Sequence, residues 1–188
     1  MRTGVLGIDP GHVRTGVALI SQAASSRSPR LVAVELLTCQ PGIEYPAMCA
    51  HYAASFARFN EAHLLDYVQS YVFIEGGGGF TLARSQAMLG AYVLTGTLIT
   101  VALGFGILPE RIHMVRGATW RTNVLGAANL KVRRGDLDDF FQDGPLANLK
   151  NEHVRDAAGI ALYGWRKLCY NAKCWDLASS SFSDTGRE

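Results

Sequence analysis

Residues 4–19 read GVLGIDPGHVRTGVAL, and the reversal in their middle decides how the fold begins. Two apolar runs, 3–9 and 16–20, are separated by Pro10-Gly11, with Thr15-Gly16 completing the turn. Proline presets one turn dihedral and glycine supplies conformations that other residues avoid, so the segment predicts a β-hairpin. Its loop is small enough to approach a ligand closely. Asp9 ends the first run, a place where an aspartate often serves only to hydrogen-bond its own turn. A second run of the same form, YVFIEGGGG at 71–79, ends on Glu75. That glutamate has no turn role to fill, and the glycines behind it leave its carboxylate uncrowded.

Working outward, LVAVELLT at 31–38 predicts a third strand after the polar SSRSPR connection. Apolar residues near helical spacing (Met48, Tyr52, Phe56, Phe59, Leu64, Val68) predict a helix over 46–69. Strand 71–75 follows, then an apolar helix over 82–103 and a fifth strand, RIHMV, at 111–115. Helical pieces are expected at 117–125 and 131–141, with a last helix over 151–169. Three consecutive strands favour antiparallel pairing, and the later strand–helix alternation favours a parallel extension. The expected architecture is α/β: a mixed five-stranded sheet with helices on both faces. If the first and fourth strands pair, Asp9 and Glu75 stand side by side. One domain over 1–170 is expected, with a polar, frayed tail over 171–188.

The composition is that of an ordinary globular protein, 48% hydrophobic and 18% charged, with a net charge of +2. That charge is too small to demand a polyanionic partner, but its distribution is uneven. From Arg111 to Arg134 there are six basic residues (Arg111, Arg116, Arg121, Lys131, Arg133, Arg134) and no acidic one. Such a stretch suits a phosphate-facing surface, or simply a solvated basic face. Cys39, Cys49, Cys169 and Cys174 form no CxxC pair, and no secretory signal precedes the first strand. Reduced thiols in a cytoplasmic or other reducing compartment are expected. Gln86 to Pro109 carries no charge, long enough to span a membrane. Its glycines and threonines and the missing tryptophan anchors favour a helix held between the sheet and a second subunit.

A third motif, NEHVRDAAGIALYG at 151–164, sets His153 and Asp156 three residues apart, on one helix face. An acid there also suits the helix dipole, and Glu152 serves that end equally well. Taken together, Asp9, Glu75, His153 and Asp156 supply oxygen and imidazole ligands for divalent cations. Massed carboxylates repel, and bound cations relieve the repulsion. Two such ions can activate water against a phosphodiester. A ligating His153 must be neutral.

The chain resembles the RuvC family of Holliday junction resolvases, within the ribonuclease H-like superfamily. The resemblance spans about residues 3–168 and rests on GIDPGHVRTGVALI, VFIEGG, LARSQAMLGAY, TWRTNVLGAANLKV and HVRDAAGIALYG, in order. It implies a ribonuclease H-like fold and a homodimeric endonuclease that cuts branched, four-way DNA symmetrically with Mg²⁺ or Mn²⁺, two ions per site. It also implies catalytic and metal-binding roles for Asp9, Glu75, His153 and Asp156, and puts Lys131 and Arg121 near lysines that act at the scissile phosphate. LARSQAMLGAY matches the helix that contributes to the family's dimer interface. Arg14, Phe80, Arg84, Arg116, Arg121, Lys131, Arg133 and Arg134 are the candidates for contacts to DNA. No nucleotide cofactor and no membrane are implied. Glycines follow Glu75 where the family carries an aromatic that enters the junction centre; Phe80 stands further along. Arginine at 121 in place of lysine changes a point charge into a planar fork.

Three other readings compete. GIDPGHVRTG also resembles the phosphate loop of the actin-like sugar kinases and ATPases, but those need two such domains and a strand after the second loop. A ribonuclease H-like nuclease acting on RNA–DNA hybrids or other branched DNA is closer. A junction-binding scaffold without catalysis would have no use for unpaired acids beside phosphates.

Overall fold

The computed structural model describes residues 3–22, 29–76, 85–126, 131, 136–137 and 151–180. Its strands are β1 (Thr3–Asp9), β2 (Arg14–Gln22), β3 (Arg30–Thr38), β4 (Gln69–Glu75) and β5 (Ile112–Val115). Its helices are α1 (Tyr45–His63), α2 (Ser85–Gly104), α3 (Gly117–Leu125) and α4 (Glu152–Ser180), with one 3₁₀ turn at Pro109–Arg111. The sheet order is β3-β2-β1-β4-β5. β1 pairs antiparallel with β2 and parallel with β4, and β5 extends the parallel side. The expected mixed five-stranded sheet is the one observed.

Strand periodicity divides the core in two. Leu6, Ile8, Val17, Leu19, Val72 and Ile74 face one way, into a core with Met48, Tyr52, Phe56 and Phe59 of α1 and Leu94 and Leu98 of α2. Val5, Ala18, Ile20 and Phe73 face the other way, against Trp120 of α3 and Val154, Ala157, Ala158 and Ala161 of α4. Both faces of the sheet are covered, so β1, β2 and β4 read as continuous apolar runs without alternation.

The boundaries differ from the sequence reading in three places. α1 ends at His63, and the chain turns into β4 from Gln69, where the apolar spacing had carried the helix on. Val68, one of the residues that set that spacing, is 64% exposed and belongs to no buried stripe. β2 starts at Arg14, closer to the turn than the apolar run alone indicates. α4 continues to Ser180, past the expected end at 169. No glycine or proline lies between 165 and 180, so nothing in the chain interrupts the helical hydrogen bonds there. The helix expected over 131–141 falls almost wholly outside the described residues; within it, 136–137 form a turn. Among the described residues no helix is long and apolar enough to cross a membrane.

Candidate active site

Parallel pairing of β1 with β4 sets Ile8 against Ile74, so Asp9 and Glu75 follow side by side at the carboxyl ends of the two strands. Alternation turns both side chains to the face that α4 covers. The carboxyl edge of a parallel sheet is where open α/β folds place their ligand sites.

Two glycines let α4 come close enough to complete the site. A Cβ on Gly7 would collide with the carbonyl oxygen of Ala157 and the amide of Ala161. One on Gly16 would collide with the carbonyl of His153. The helix backbone therefore rests directly on β1 and β2, with its first turn above the hairpin. Asn151 caps that turn: its Oδ1 accepts the backbone N–H of His153 at 2.9 Å. The hairpin loop is pinned from below. Thr15, fully buried, donates its hydroxyl to the carbonyl of Gly11 at 3.2 Å, and the Tyr52 hydroxyl donates to the same oxygen at 3.3 Å.

His153 and Asp9 meet at 2.7 Å, Nδ1 to Oδ2. An ionised carboxylate only accepts, so Nδ1 carries the proton and Nε2 is left for another partner. The hydrogen bond to Asp9 holds the His153 pKa above its ordinary value of 6.5, against a partial burial that lowers it. Glu75 accepts the indole N–H of Trp120 on Oε2 at 2.7 Å. Arg121 lies between two acids: its Nη2 is 2.9 Å from Asp156 Oδ2 and 3.4 Å from Glu75 Oε2. Its Nη1 reaches Glu75 Oε1 at 3.5 Å, and its Cζ sits 4.5 Å from the centre of the Trp120 rings. Gly117 completes this cradle, because a Cβ there would strike both Nη1 of Arg121 and Oε1 of Glu75.

Burial is the largest influence on both Glu75 and Asp156 and pushes each carboxyl up; Trp120 and Arg121 oppose it at Glu75, and Arg121 opposes it at Asp156. The charge of Asp9 raises both further, so the three acids share one electrostatic field. Burial works against the charge on Arg121, but Asp156 and Glu75 outweigh it and hold the guanidinium pKa above its usual value. The five side chains are 15–29% exposed, open to a solvent-borne ligand yet too enclosed for bulk water to screen their charges fully.

As a donor set, three carboxylates and an imidazole fit hard divalent cations. Their arrangement fits only in part. Among the described residues no three His, Cys, Asp or Glu side chains converge as a metal cage. The cation standing between Glu75 and Asp156 is the guanidinium of Arg121.

Of the other residues singled out in the sequence, Arg14 and Arg116 are exposed at the same edge, at the start of β2 and just before α3. Lys131 is exposed, and no hydrogen bond or ion pair joins it to the three acids or the imidazole. Phe80, Arg84, Arg133 and Arg134 lie outside the described residues. Sequence reasoning passed over Trp120 and Asn151. A tryptophan inside a short helix reads as core, which it also is, fully buried against Gly159. Asn151 carried a signal, since an asparagine just ahead of an acidic first turn is a helix cap.

No protein-family profile matches this sequence, and neither does any curated protein. Solved structures do match. Thermus thermophilus RuvC superposes with a TM-score of 0.66 at 15% identity, over 88% of this chain and 96% of that one. T. thermophilus RuvC in complex with a Holliday junction substrate gives 0.67 at 15% identity, over 85% and 91%. The yeast mitochondrial Holliday junction resolvase Ydc2 gives 0.61 at 16% identity, over 95% and 85%. The fold is the ribonuclease H-like α/β fold of these proteins, across nearly the whole chain.

Proposed function

We propose that this protein is a divalent-metal-dependent endonuclease that resolves four-way DNA junctions by paired, symmetric phosphodiester hydrolysis. One observation carries the reading: Asp9 and Glu75 end adjacent parallel strands, His153 is hydrogen-bonded to Asp9, and Arg121 joins Glu75 to Asp156 at the same edge of the sheet. The fold shared with proteins that bear the name of that activity supports it.

Asp9, Glu75, His153 and Asp156 would hold two Mg²⁺, or Mn²⁺ in their place, and such ions supply an activated water and charge stabilisation at the leaving oxygen. The protein's own part is positioning. Asp9 orients the His153 ring and fixes its tautomer, while Trp120 orients Glu75. Arg121 and Lys131 offer positive charge to a phosphate whose charge grows during cleavage. Arg14 and Arg116 would contact the junction arms, each steepening the salt dependence of binding. A near-two-fold substrate cut at two symmetric points calls for two sites related by a dyad, so the active species would be a homodimer. α2 supports this, with Tyr92, Val93 and Leu103 exposed on a helix free of charge.

Cleavage of an immobile four-way junction tests the reading, with linear duplex and an RNA–DNA hybrid as controls, each in Mg²⁺, Mn²⁺ or EDTA. Paired nicks on the junction alone are expected, lost in EDTA and reduced at least ~100-fold in Asp9→Asn. Cutting of the hybrid instead would make the protein a nuclease of another ribonuclease H-like class. A second reading, a junction-binding scaffold, is favoured by the ion pairs that Arg121 makes with Glu75 and Asp156, because acids neutralised internally can sit beside phosphates without metal. Tight binding with no cleavage in any metal would establish it.

A further inference from the structure

Arg121 touches two of the four residues that would hold metal, and everything around it is shaped to keep it there. The ring of Trp120 lies under the guanidinium, Gly117 makes room for Nη1, and Glu75 and Asp156 accept from both terminal nitrogens. We propose that Arg121 is a built-in counter-cation that occupies the metal-binding face of Glu75 and Asp156 in the free protein and must swing away before divalent ions load. The inference rests on the metal-dependent reading above.

The two cations exclude one another at this pair. A bound Mg²⁺ lies about 2.0–2.1 Å from its carboxylate oxygens. A guanidinium nitrogen 2.9 Å from Asp156 Oδ2 occupies the same approach with the same sign of charge. A lysine here would have a second way out, by losing its proton, but a guanidinium in a protein keeps its charge and leaves only by rotation. The apparent metal affinity is therefore lowered by the fraction of molecules in which the pair is vacated. A phosphate arriving beside Arg121 offers the guanidinium an alternative bidentate partner. By linkage, DNA and metal then assist each other's binding, and the centre loads with substrate in place.

The test is Mn²⁺ binding to the full chain without DNA, read as loss of the free-ion electron paramagnetic resonance signal, in wild type, R121K and R121Q. Circular dichroism checks that each variant is folded, and Asp156→Asn marks the site. Occupancy by Arg121 predicts that R121Q binds Mn²⁺ roughly tenfold more tightly or better. R121K, which keeps the charge but cannot bridge both acids, should fall between R121Q and wild type. R121Q binding no more tightly than wild type would overturn the proposal. So would R121K matching wild type while R121Q is tighter, which would mean a distant charge effect without occupancy. If none of the three binds Mn²⁺, the metal-dependent reading fails and this inference with it; equal binding by all three sinks this inference alone.

Discussion

Glu75 owes its orientation to Trp120, whose buried indole spends its single donor on one carboxylate oxygen. Trp120→Phe keeps most of the aromatic volume and removes that donor. Glu75 stays paired with Arg121 and is a quarter exposed, so only the net worth of one hydrogen bond, about 0.5–1.5 kcal/mol, is lost and denaturant midpoints should fall modestly. The same hydrogen bond lowers the Glu75 pKa, so its loss should carry that value further up; an unchanged carboxyl titration in the variant would contradict the geometry. His153 is raised by its bond to Asp9, so the folded state binds its proton more tightly than the unfolded chain does. The pair's contribution to metal-free stability is then fully present below about pH 6.5 and lost as pH rises through the raised folded value. Ring-nitrogen NMR of the metal-free protein should show a midpoint above 6.5, falling in Asp9→Asn. A midpoint at or below 6.5 in the wild type would mean that the two side chains are not paired in solution.

At the scale of elements, the site depends on how closely α4 can lie on β1 and β2. Gly7 and Gly16 allow it, and their obstacles are helix backbone atoms, which cannot rotate aside as a side chain can. Gly7→Ala should therefore cost about 1–3 kcal/mol or more, the range for forcing extra volume into a packed interior. It should also weaken Mn²⁺ binding, because displacing α4 carries His153 and Asp156 with it; stability and metal affinity both at wild-type level would show that the helix sits elsewhere. The strands and most helices could be read from apolar runs and turn residues, since each such pattern is local. The end of α1 could not. Leu64 and Val68 continue the helical spacing in the sequence, but Leu64 packs into the core beyond the last helical residue and Val68 faces solvent. Spacing records which residues are apolar and says nothing of which are buried.

At the scale of the whole molecule, α2 shows apolar side chains on its outer surface that the core does not use. Leu94, Leu98 and Ala102 fill the core beside α1, while Tyr92, Val93 and Leu103 remain exposed on an uncharged helix. Val93→Asp should convert the proposed dimer to a monomer in sedimentation and change paired nicking of a junction into single, uncoordinated nicks. A variant that stays dimeric, or a wild type that is already monomeric and still resolves junctions, would remove α2 from the interface.

The sequence by itself determined the mixed sheet and the identity of the acids. Three strands in a row followed by strand–helix alternation favour that topology, and Glu75, closing a buried strand, has no turn role to fill. The pairing of β1 with β4, on which the site depends, was only a condition in the sequence and is observed in the structure. What only the tertiary structure decided is what those acids touch. Asp9 is bound to His153, Glu75 to Trp120, and Arg121 stands between Glu75 and Asp156, with nothing in the linear pattern to mark these pairs. The physical reason is range. Periodicity and turn chemistry act over a few residues, whereas these contacts join side chains from 35 to 144 positions apart. Their geometry is set by how closely glycine lets one backbone approach another.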